Sequence, residues 1–407
     1  MKYLSFAGIL LLIFSACNSS KNAIVFPEIE ERIMDTLVVT APPMTEDEEM
    51  LEEISAEDYE LPTFNASAKR TFDLLHTKLD IRFNWAEEQV IGKATLSLKP
   101  YFYSTSELTL DAKNFKFNSV REKGKKEDLK YTYNEQQIVI DLGREMTRND
   151  RIDIEIDYVA TPRADGGSAA ITSDKGLFFI NPTGEEDKPQ QIWTQGETEH
   201  NSRWFPTIDK PNERTTQELY ITVEDRFRTL SNGLLVSSEK NEDGTRTDYW
   251  NMDQPHAPYL FMVAVGEFAV VQEKWNEMLL EYYVEPEYRE LAKKIFPYTP
   301  EMLSFFSDRL GVKYPWQKYS QVVVRDYVSG AMENTTAVIF GEFMQGDEDF
   351  LKDNLTNEKI VAHEMFHHWF GDYVTCESWA NLTMNEGFAN YSEYLWLEEK
   401  HGRDEAD

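Results

Sequence analysis

Apolar and polar residues alternate along much of the chain after residue 72. Residues 75–83 have the sequence LHTKLDIRF and residues 152–158 have the sequence IDIEIDY, so that every second side chain is apolar or a threonine. A period of two places these side chains on one face of a β-strand. Further short runs of this kind, separated by turn-forming residues, predict an all-β unit with at least one solvated face that ends near Tyr283.

The pattern changes to a helical period toward the end of the chain. Segments 287–296 and 300–310 carry apolar residues at intervals of three and four positions. A β-branched run at 320–328 then predicts a strand, and two more helices are predicted around 361–372 and 385–402. The sequence therefore predicts an all-β part followed by a part that mixes helices and strands.

The first residues have the composition of an export signal. Lys2 precedes an apolar run from Leu4 to Phe14, which is too short to span a bilayer comfortably, and two small residues stand directly before Cys17. This arrangement resembles the lipobox of bacterial lipoproteins, in which the cysteine becomes the lipid-modified N-terminus. We expect residues 1–17 to be the signal of an exported bacterial protein held to the cell envelope by lipid at Cys17. Because Phe14 replaces the usual leucine, secretion without a lipid is the alternative.

Residues 18–66 are rich in acidic side chains, and the densest run is TEDEEMLEE at 45–53. Such runs are usually solvated and extended, so we expect a tether here. The whole chain has a formal net charge of −32 and no cluster of lysine and arginine, which argues against nucleic acid as a partner. Apart from Cys17 the one cysteine is Cys376, so no disulfide within the chain is expected.

Candidate chemistry is concentrated in VAHEMFHHWFGD, residues 361–372. His363 and His367 are four positions apart and share one face of a helix, which is the spacing that two imidazoles need to reach one metal ion. With Glu364 as a candidate general base, they form the pattern H-E-x-x-H. His368 lies a further ~100° around the helix and cannot join them. The alternative is a chance match, with two histidines that hold no metal.

Two histidines leave a catalytic zinc site one protein ligand short, and a carboxylate is the usual third ligand. Spacing alone does not choose among the acidic residues downstream, although the start of a helix is a rigid place for a ligand. The candidates are Asp372, Glu377, Glu386 and Glu393.

Three motifs together resemble the gluzincin aminopeptidases, the family of aminopeptidase N. The HExxH motif is followed after eighteen intervening residues by Glu386 in NEGFA, and GAMEN stands upstream at 330–334. GAMEN and the HExxH motif with its downstream glutamate have the order and separation found in that family. A third stretch, TQGETEHNSRWFPTIDKP at 194–211, looks like the family's signature in its β-domain.

The resemblance covers everything beyond the tether and implies two domains. These are an all-β domain with a saddle-like sheet over residues 67–284, and a thermolysin-like α/β zinc-peptidase domain over residues 285–407 that is truncated at its C-terminus. In the family, a tyrosine well beyond the third ligand stabilises the oxyanion, and its expected position lies past Asp407. We therefore expect an N-terminal portion of a longer protein, with a complete set of zinc ligands and an incomplete active site.

The resemblance also implies a role for each matching residue. His363, His367 and Glu386 would bind one Zn²⁺ per chain. Glu364 would take a proton from the attacking water and pass it to the leaving amine. Glu333 would hold the free α-amino group of the peptide, so that one N-terminal residue is removed.

Further substrate contacts are implied for both motifs. Gly330 and Ala331 would bind the substrate backbone along an exposed strand edge, and Asn334 completes the GAMEN motif. Gln195 and Glu197 match a second contact to the amine, which would come from the β-domain.

The expected function is that of a zinc-dependent aminopeptidase acting on peptides with a free N-terminus. One alternative is a zinc-binding surface protein that captures peptides without cleaving them, and another is a related hydrolase that opens an epoxide. His368 and Asp372 are expected either to orient a ligand imidazole or to be solvated residues at a helix end.

Overall fold

The computed structural model describes residues 67–352 and 355–407. The predicted signal, the predicted lipidation site Cys17 and the predicted tether at 18–66 lie outside the described residues. The described residues belong to one compact unit. None of the helices formed by these residues combines the length and the apolar character needed to cross a membrane.

The first part of the described chain consists of β-strands, as the alternating pattern predicts. Their bounds are β1 (Phe72–Asn84), β2 (Gln89–Pro100), β3 (Thr105–Asp111), β4 (Phe115–Glu122), β5 (Lys130–Tyr133), β6 (Gln137–Met146), β7 (Ile152–Ala160), β8 (Leu177–Ile180), β9 (Gln191–Thr194), β10 (Thr215–Glu224), β11 (Arg228–Ser231), β12 (Leu234–Lys240), β13 (Thr245–His256) and β14 (Val263–Gly266). The largest sheet has the order β12-β13-β10-β1-β2-β7-β4, and two smaller sheets have the orders β3-β6-β5 and β11-β14-β9-β8.

Strand β1 follows the predicted alternation over only part of its length. From residue 77 to residue 82 every odd-numbered side chain is buried, whereas nearer the start of the strand the buried side chains are those of Phe72 and Leu74. The change occurs at an irregularity between Leu74 and His76, where the register with β2 shifts. An extra residue of this kind turns the following side chains to the other face. Leu75, which alternation assigns to the core, is therefore only partly buried.

The second part contains a mixed sheet and most of the helices. Its strands are β15 (Ala269–Trp275), β16 (Met278–Val284), β17 (Tyr319–Val324), β18 (Ala331–Met332) and β19 (Ala337–Gly341). The order in the sheet is β15-β16-β17-β19-β18, so that β18 is an edge strand. Strands β16, β17 and β19 run parallel to one another, and β15 and β18 run antiparallel to their neighbours.

The predicted domain boundary at 284/285 divides this sheet. It assigns β15 and β16 to the first domain, although β16 pairs with β17 of the second part. The residue pattern indicates that both segments are strands, but it does not show which strand each of them pairs with. A boundary between β14 and β15 fits the observed pairing.

The helices of the second part are α1 (Ala292–Ile295), α2 (Thr299–Leu310), α3 (Glu348–Leu351), α4 (Leu355–Phe366), α5 (Thr383–His401) and α6 (Arg403–Ala406). Helix α2 packs against α4 through the rings of Phe306 and Phe366, whose centroids are 5.2 Å apart. Helix α5 is joined to α4 by a hydrogen bond from Trp396 Nε1 to Glu358 Oε1 (2.6 Å). The core therefore fixes α4 and α5, the two helices that carry the candidate metal ligands.

Candidate active site

His363 lies in the last turn of α4, His367 directly follows that helix, and Glu386 lies in the first turn of α5. The helix ends at Phe366, but the N–H of His367 still donates to the carbonyl of His363 (3.3 Å), so the two imidazoles keep their helical relation. Glu386 Oε2 is 3.4 Å from Nε2 of His363 and 3.7 Å from Nε2 of His367. One ligand atom from each residue lies within 4.8 Å of the others, which is a spacing that one ion can bridge.

The second ring nitrogen of each histidine is held by a hydrogen bond. Nδ1 of His363 donates to Glu393 Oε1 (2.9 Å), and Nδ1 of His367 donates to the carbonyl of Phe370 (3.0 Å). These bonds place the proton on Nδ1 and leave the Nε2 lone pair of each ring near Glu386. Two neutral imidazoles and one carboxylate fit Zn²⁺ and leave a fourth coordination position open. The residues present therefore fit the metal.

The spacing of residues in the sequence does not predict that Glu393 orients a candidate metal ligand. It is one of the four carboxylates proposed as a third ligand, but its carboxylate contacts Nδ1 of His363 and not the metal-facing Nε2. Glu386 and Glu393 are seven residues apart and so share one face of α5, which explains why both reach His363. Within the described residues, the close group of ligand atoms includes neither Asp372 nor Glu377.

Glu364 lies on α4 next to the first ligand and is almost completely buried. Its Oε2 atom has no hydrogen-bond partner among the described residues. Burial raises the pKa of the Glu364 carboxyl to about 7, although the imidazoles of His363 and His367 act in the opposite direction. A carboxyl with a pKa near neutrality is suited to accept and return a proton.

The GAMEN motif forms the open edge of the mixed sheet, at strand β18. Strand β18 pairs with β19 on one side only, and Gly330 before it is exposed while Ala331 is partly buried. Extended peptides bind along open edges of this kind. Glu333 directly follows β18, and its carboxylate lies within 4.8 Å of ligand atoms of Glu364 and His367. The open edge therefore leads directly to the candidate metal ligands.

The Glu333 carboxylate is buried with little hydrogen bonding. Tyr259 Oη donates to Glu333 Oε1 at 3.4 Å, which is a long bond. Burial raises the pKa of the Glu333 carboxyl, and the charge of Glu386 acts in the same direction. The next residue, Asn334, is fully buried, and neither of its amide atoms has a partner among the described residues. The Glu333 carboxylate therefore has unused capacity to bind a polar or cationic group, and the Asn334 amide has unused capacity to form hydrogen bonds.

Strand β9 brings the TQGET motif to the same place. Gln195 is buried directly after β9, and its Nε2 lies 3.5 Å from Sδ of Met332 in β18. Glu197 is partly buried, and its Oε1 has no partner among the described residues. Burial, and after it the charge of Glu333, raises the pKa of the Glu197 carboxyl well above its ordinary value. The structure thus brings residues of the β-domain and of the mixed sheet to one site.

His368 and Asp372 are not solvated residues at a helix end, since both are fully buried. Nδ1 of His368 donates to the carbonyl of Glu364 (3.2 Å), and its Nε2 accepts from the N–H of Thr336 (3.0 Å). Burial lowers the pKa of His368 to about 3, so the ring is neutral and joins α4 to the segment after GAMEN. The backbone N–H of Asp372 donates to the carbonyl of His367 (2.9 Å). Neither side chain forms a hydrogen bond to a ligand imidazole within the described residues.

Replacing Glu393 by alanine is expected to weaken zinc binding about 10- to 100-fold, because the Nδ1 proton of His363 loses the carboxylate that orients the ring. Competition with a chelator of known zinc affinity measures this change. Glu399→Ala is the matched control, since Glu399 is an exposed glutamate on the same helix, and it should bind zinc like the wild type. Equal zinc affinity of Glu393→Ala and Glu399→Ala would contradict the assignment of Glu393.

Comparison with protein-family models gives two matches in consecutive parts of the chain. The Peptidase M1 N-terminal domain matches residues 73–260, and the Peptidase family M1 domain matches residues 296–406. The second match contains α4 and α5 with all three candidate metal ligands. The first match contains β9 and the TQGET motif.

The chain is similar to curated aminopeptidases along part of their length. It is 31% identical to glutamyl aminopeptidase of Bos taurus over 195 residues, which are 47% of this chain and 20% of that protein. It is 27% identical to aminopeptidase N of Haemophilus influenzae over 343 residues, which are 81% of this chain and 36% of that protein. The chain thus spans well under half the length of these relatives.

Solved structures confirm the fold. An M1 zinc metallopeptidase from Deinococcus radiodurans superimposes with a TM-score of 0.66 at 21% identity, covering 83% of this chain and 73% of that one. A mutant of a two-domain M1 zinc metallopeptidase bound to L-arginine gives a TM-score of 0.67 at 20% identity with the same coverage. Since both characteristic domains match in order, the chain belongs to peptidase family M1, the zinc metallopeptidase family of aminopeptidase N.

Proposed function

We propose that this chain acts as a zinc-dependent aminopeptidase that removes the N-terminal residue from peptides. The observation that carries this proposal is the position of Glu333 and Glu364, which lie with His367 in one buried group of ligand atoms within 4.8 Å. Glu364 stands beside the metal ligands, where a water molecule would lose its proton. Glu333 stands at the end of the open strand edge, where the first residue of a peptide would be held.

A peptide would lie along β18 with main-chain hydrogen bonds to Gly330 and Ala331. Its α-amino group has a pKa of about 8 and is mostly cationic at neutral pH. This group would bind between Glu333 and Glu197, whose carboxylates have few partners of their own. An ammonium ion offsets the cost of burying these carboxylates, whereas a blocked N-terminus does not. The pocket therefore selects a free N-terminus.

His363, His367 and Glu386 would hold Zn²⁺, and the bound ion would supply the Lewis acidity that polarises a carbonyl group and lowers the pKa of a neighbouring water molecule. Glu364 accepts a proton from the attacking water and returns it to the leaving amine. The amine pocket lies at a fixed, short distance from Glu364. This distance places the first peptide bond, and no later one, within reach of the proton transfer.

Glu364→Gln is expected to lower kcat for an aminoacyl anilide about 10²- to 10⁴-fold, because an amide cannot accept the proton. Zinc content should stay at the wild-type level, since Glu364 is not a ligand. Initial rates and metal analysis measure the two effects, with Glu399→Gln as the control that should change neither. Near-normal turnover by Glu364→Gln would contradict the proposal. A wild type that binds zinc and peptides without turnover would favour the peptide-capturing alternative.

Glu333→Ala is expected to lower kcat/KM for peptides with a free N-terminus about 10- to 100-fold, through the loss of one charged hydrogen bond. Peptides with an acetylated N-terminus should be poor substrates of the wild type and should show little further loss in the variant. The selectivity for a free amine is measured by comparing the rates of the wild type and of Glu333→Ala, each with free and with acetylated peptides. Equal cleavage of free and acetylated peptides by the wild type would show that the enzyme is not an exopeptidase.

We further propose that the protein is exported and anchored to a membrane by a lipid on Cys17. The support comes from the sequence, in which a lysine, an apolar run and two small residues precede Cys17. The acidic segment at 18–66 would then separate the catalytic body from the membrane.

Cys17→Ala is expected to abolish incorporation of a labelled fatty acid and to move the protein from the membrane fraction to the soluble fraction. Cells that express the full chain are grown with the labelled fatty acid, and the protein is then assigned to the membrane or the soluble fraction by detergent phase partition. A single myristoyl-length chain binds membranes only marginally, so a lipoprotein-type anchor should be distinguished by its stable membrane association. If the wild-type protein incorporates no labelled fatty acid and is found in the soluble fraction, the lipid anchor is ruled out.

A further inference from the structure

Alternate side chains of β9 hold the segment at 325–328 that leads into the GAMEN motif. The N–H of Arg325 donates to Gln191 Oε1 (2.8 Å), and Trp193 Nε1 donates to the carbonyl of Arg325 (3.0 Å). Gln195 directly follows β9 and continues this alternation. Its contact is with a side chain rather than the backbone, since Tyr327 Oη donates to Gln195 Oε1. Three successive contacts therefore fix the β-domain against this segment.

The Gln195 amide is held at both of its polar atoms. Nε2 faces Sδ of Met332 at 3.5 Å, and a thioether sulfur accepts hydrogen bonds but cannot donate them. The hydroxyl of Tyr327 donates to Oε1. These two contacts select one of the two possible orientations of the amide, with the amino group toward Met332 and the oxygen toward Tyr327. Gln195 is 1% exposed, so no bulk water replaces either contact.

Tyr327 also lies close to the charged part of the site. Its ring packs edge-on against Trp193 with centroids 4.9 Å apart. Burial, followed by the charges of Glu364, Glu333 and Glu197, raises the pKa of the Tyr327 hydroxyl well above its ordinary value. The hydroxyl therefore keeps its proton and remains a donor to Gln195 throughout the physiological range.

We propose that Tyr327 is a positioning residue for the substrate amine, which fixes the Gln195 amide with its oxygen toward the pocket of Glu197 and Glu333. An amide turned the other way would present its N–H groups to the substrate ammonium and repel it. Gln195 Oε1 has two lone pairs, so it accepts from Tyr327 and still has one for the amine. This inference rests on the proposed function, because it assigns a role in binding the substrate of that same site.

Tyr327→Phe removes the hydroxyl and keeps the ring against Trp193. The dissociation constant of L-leucinol, an amino alcohol with a free amine and no scissile bond, is expected to rise about fivefold to tenfold, which is the effect of one lost hydrogen bond. For an aminoacyl anilide, KM should rise by a similar factor while kcat stays within twofold of the wild type. Calorimetry and steady-state rates on the zinc-loaded full chain measure these changes.

Tyr133→Phe is the matched control. Tyr133 is a partly buried tyrosine of β5 whose hydroxyl accepts from the N–H of Phe115 (2.7 Å) and donates to the carbonyl of Ala112 (2.9 Å) within the β-domain. Its replacement removes two hydrogen bonds that involve neither Tyr327 nor Gln195, so it should change neither the dissociation constant of L-leucinol nor KM.

A double-mutant cycle with Gln195→Met tests whether Tyr327 acts through Gln195. Methionine keeps the approximate shape of glutamine without its amide, so adding Tyr327→Phe to this variant is expected to cause no further loss of affinity.

Additive losses of affinity in the double variant, or an unchanged affinity of Tyr327→Phe alone, would overturn the inference. A wild type that binds no free amine would overturn it too. A wild type that binds L-leucinol but hydrolyses no aminoacyl anilide would overturn the proposed function and leave this inference standing if the cycle is non-additive.

Discussion

The burial of several carboxylates around one site is the constraint on which the rest of this structure depends. Burial raises the pKa of Glu197, Glu333 and Glu364. It acts on Glu386 in the same direction, but the neighbouring imidazoles of His363 and His367 lower that pKa overall. Ionised carboxylates persist in such a place when cations join them. The proposed function brings two cations, a zinc ion beside the histidines and a substrate ammonium beside Glu333, so one electrostatic requirement selects both the metal and the free N-terminus.

Like charges can be kept together only by a rigid scaffold, and two separate parts of the fold provide it. Helices α4 and α5 place the metal ligands, and the aromatic core behind α4 together with the bond from Trp396 to Glu358 holds both helices in register. Strand β9 places Gln195 and Glu197, and its contacts with the segment at 325–328 fix it against the GAMEN edge. The proposed amine pocket thus lies at the junction of the two parts of the chain.

The sequence predicts what depends on local periodicity and misses what depends on pairing. The four-residue spacing of His363 and His367 predicts a shared helix face, which the structure shows. Spacing alone leaves the third ligand open among four carboxylates, because choosing Glu386 requires knowing how α5 packs against α4. The same packing decides the role of Glu393. Alternation alone assigns Leu75 to the core, because a bulge changes its phase without a clear mark in the residue pattern. Nor does that pattern show that β16 pairs with β17 across the predicted boundary at 284/285.

In the proposed function, the metal and the substrate amine bind side by side at this site. A crystal structure of the zinc-loaded chain with L-leucinol, with data collected at the zinc absorption edge, tests it most directly. We expect an anomalous peak about 2.0–2.2 Å from Nε2 of His363, Nε2 of His367 and a carboxylate oxygen of Glu386. We also expect the ammonium nitrogen within about 3 Å of the Glu333 carboxylate. An anomalous peak at any other group, or an amine directed away from Glu333, would contradict it.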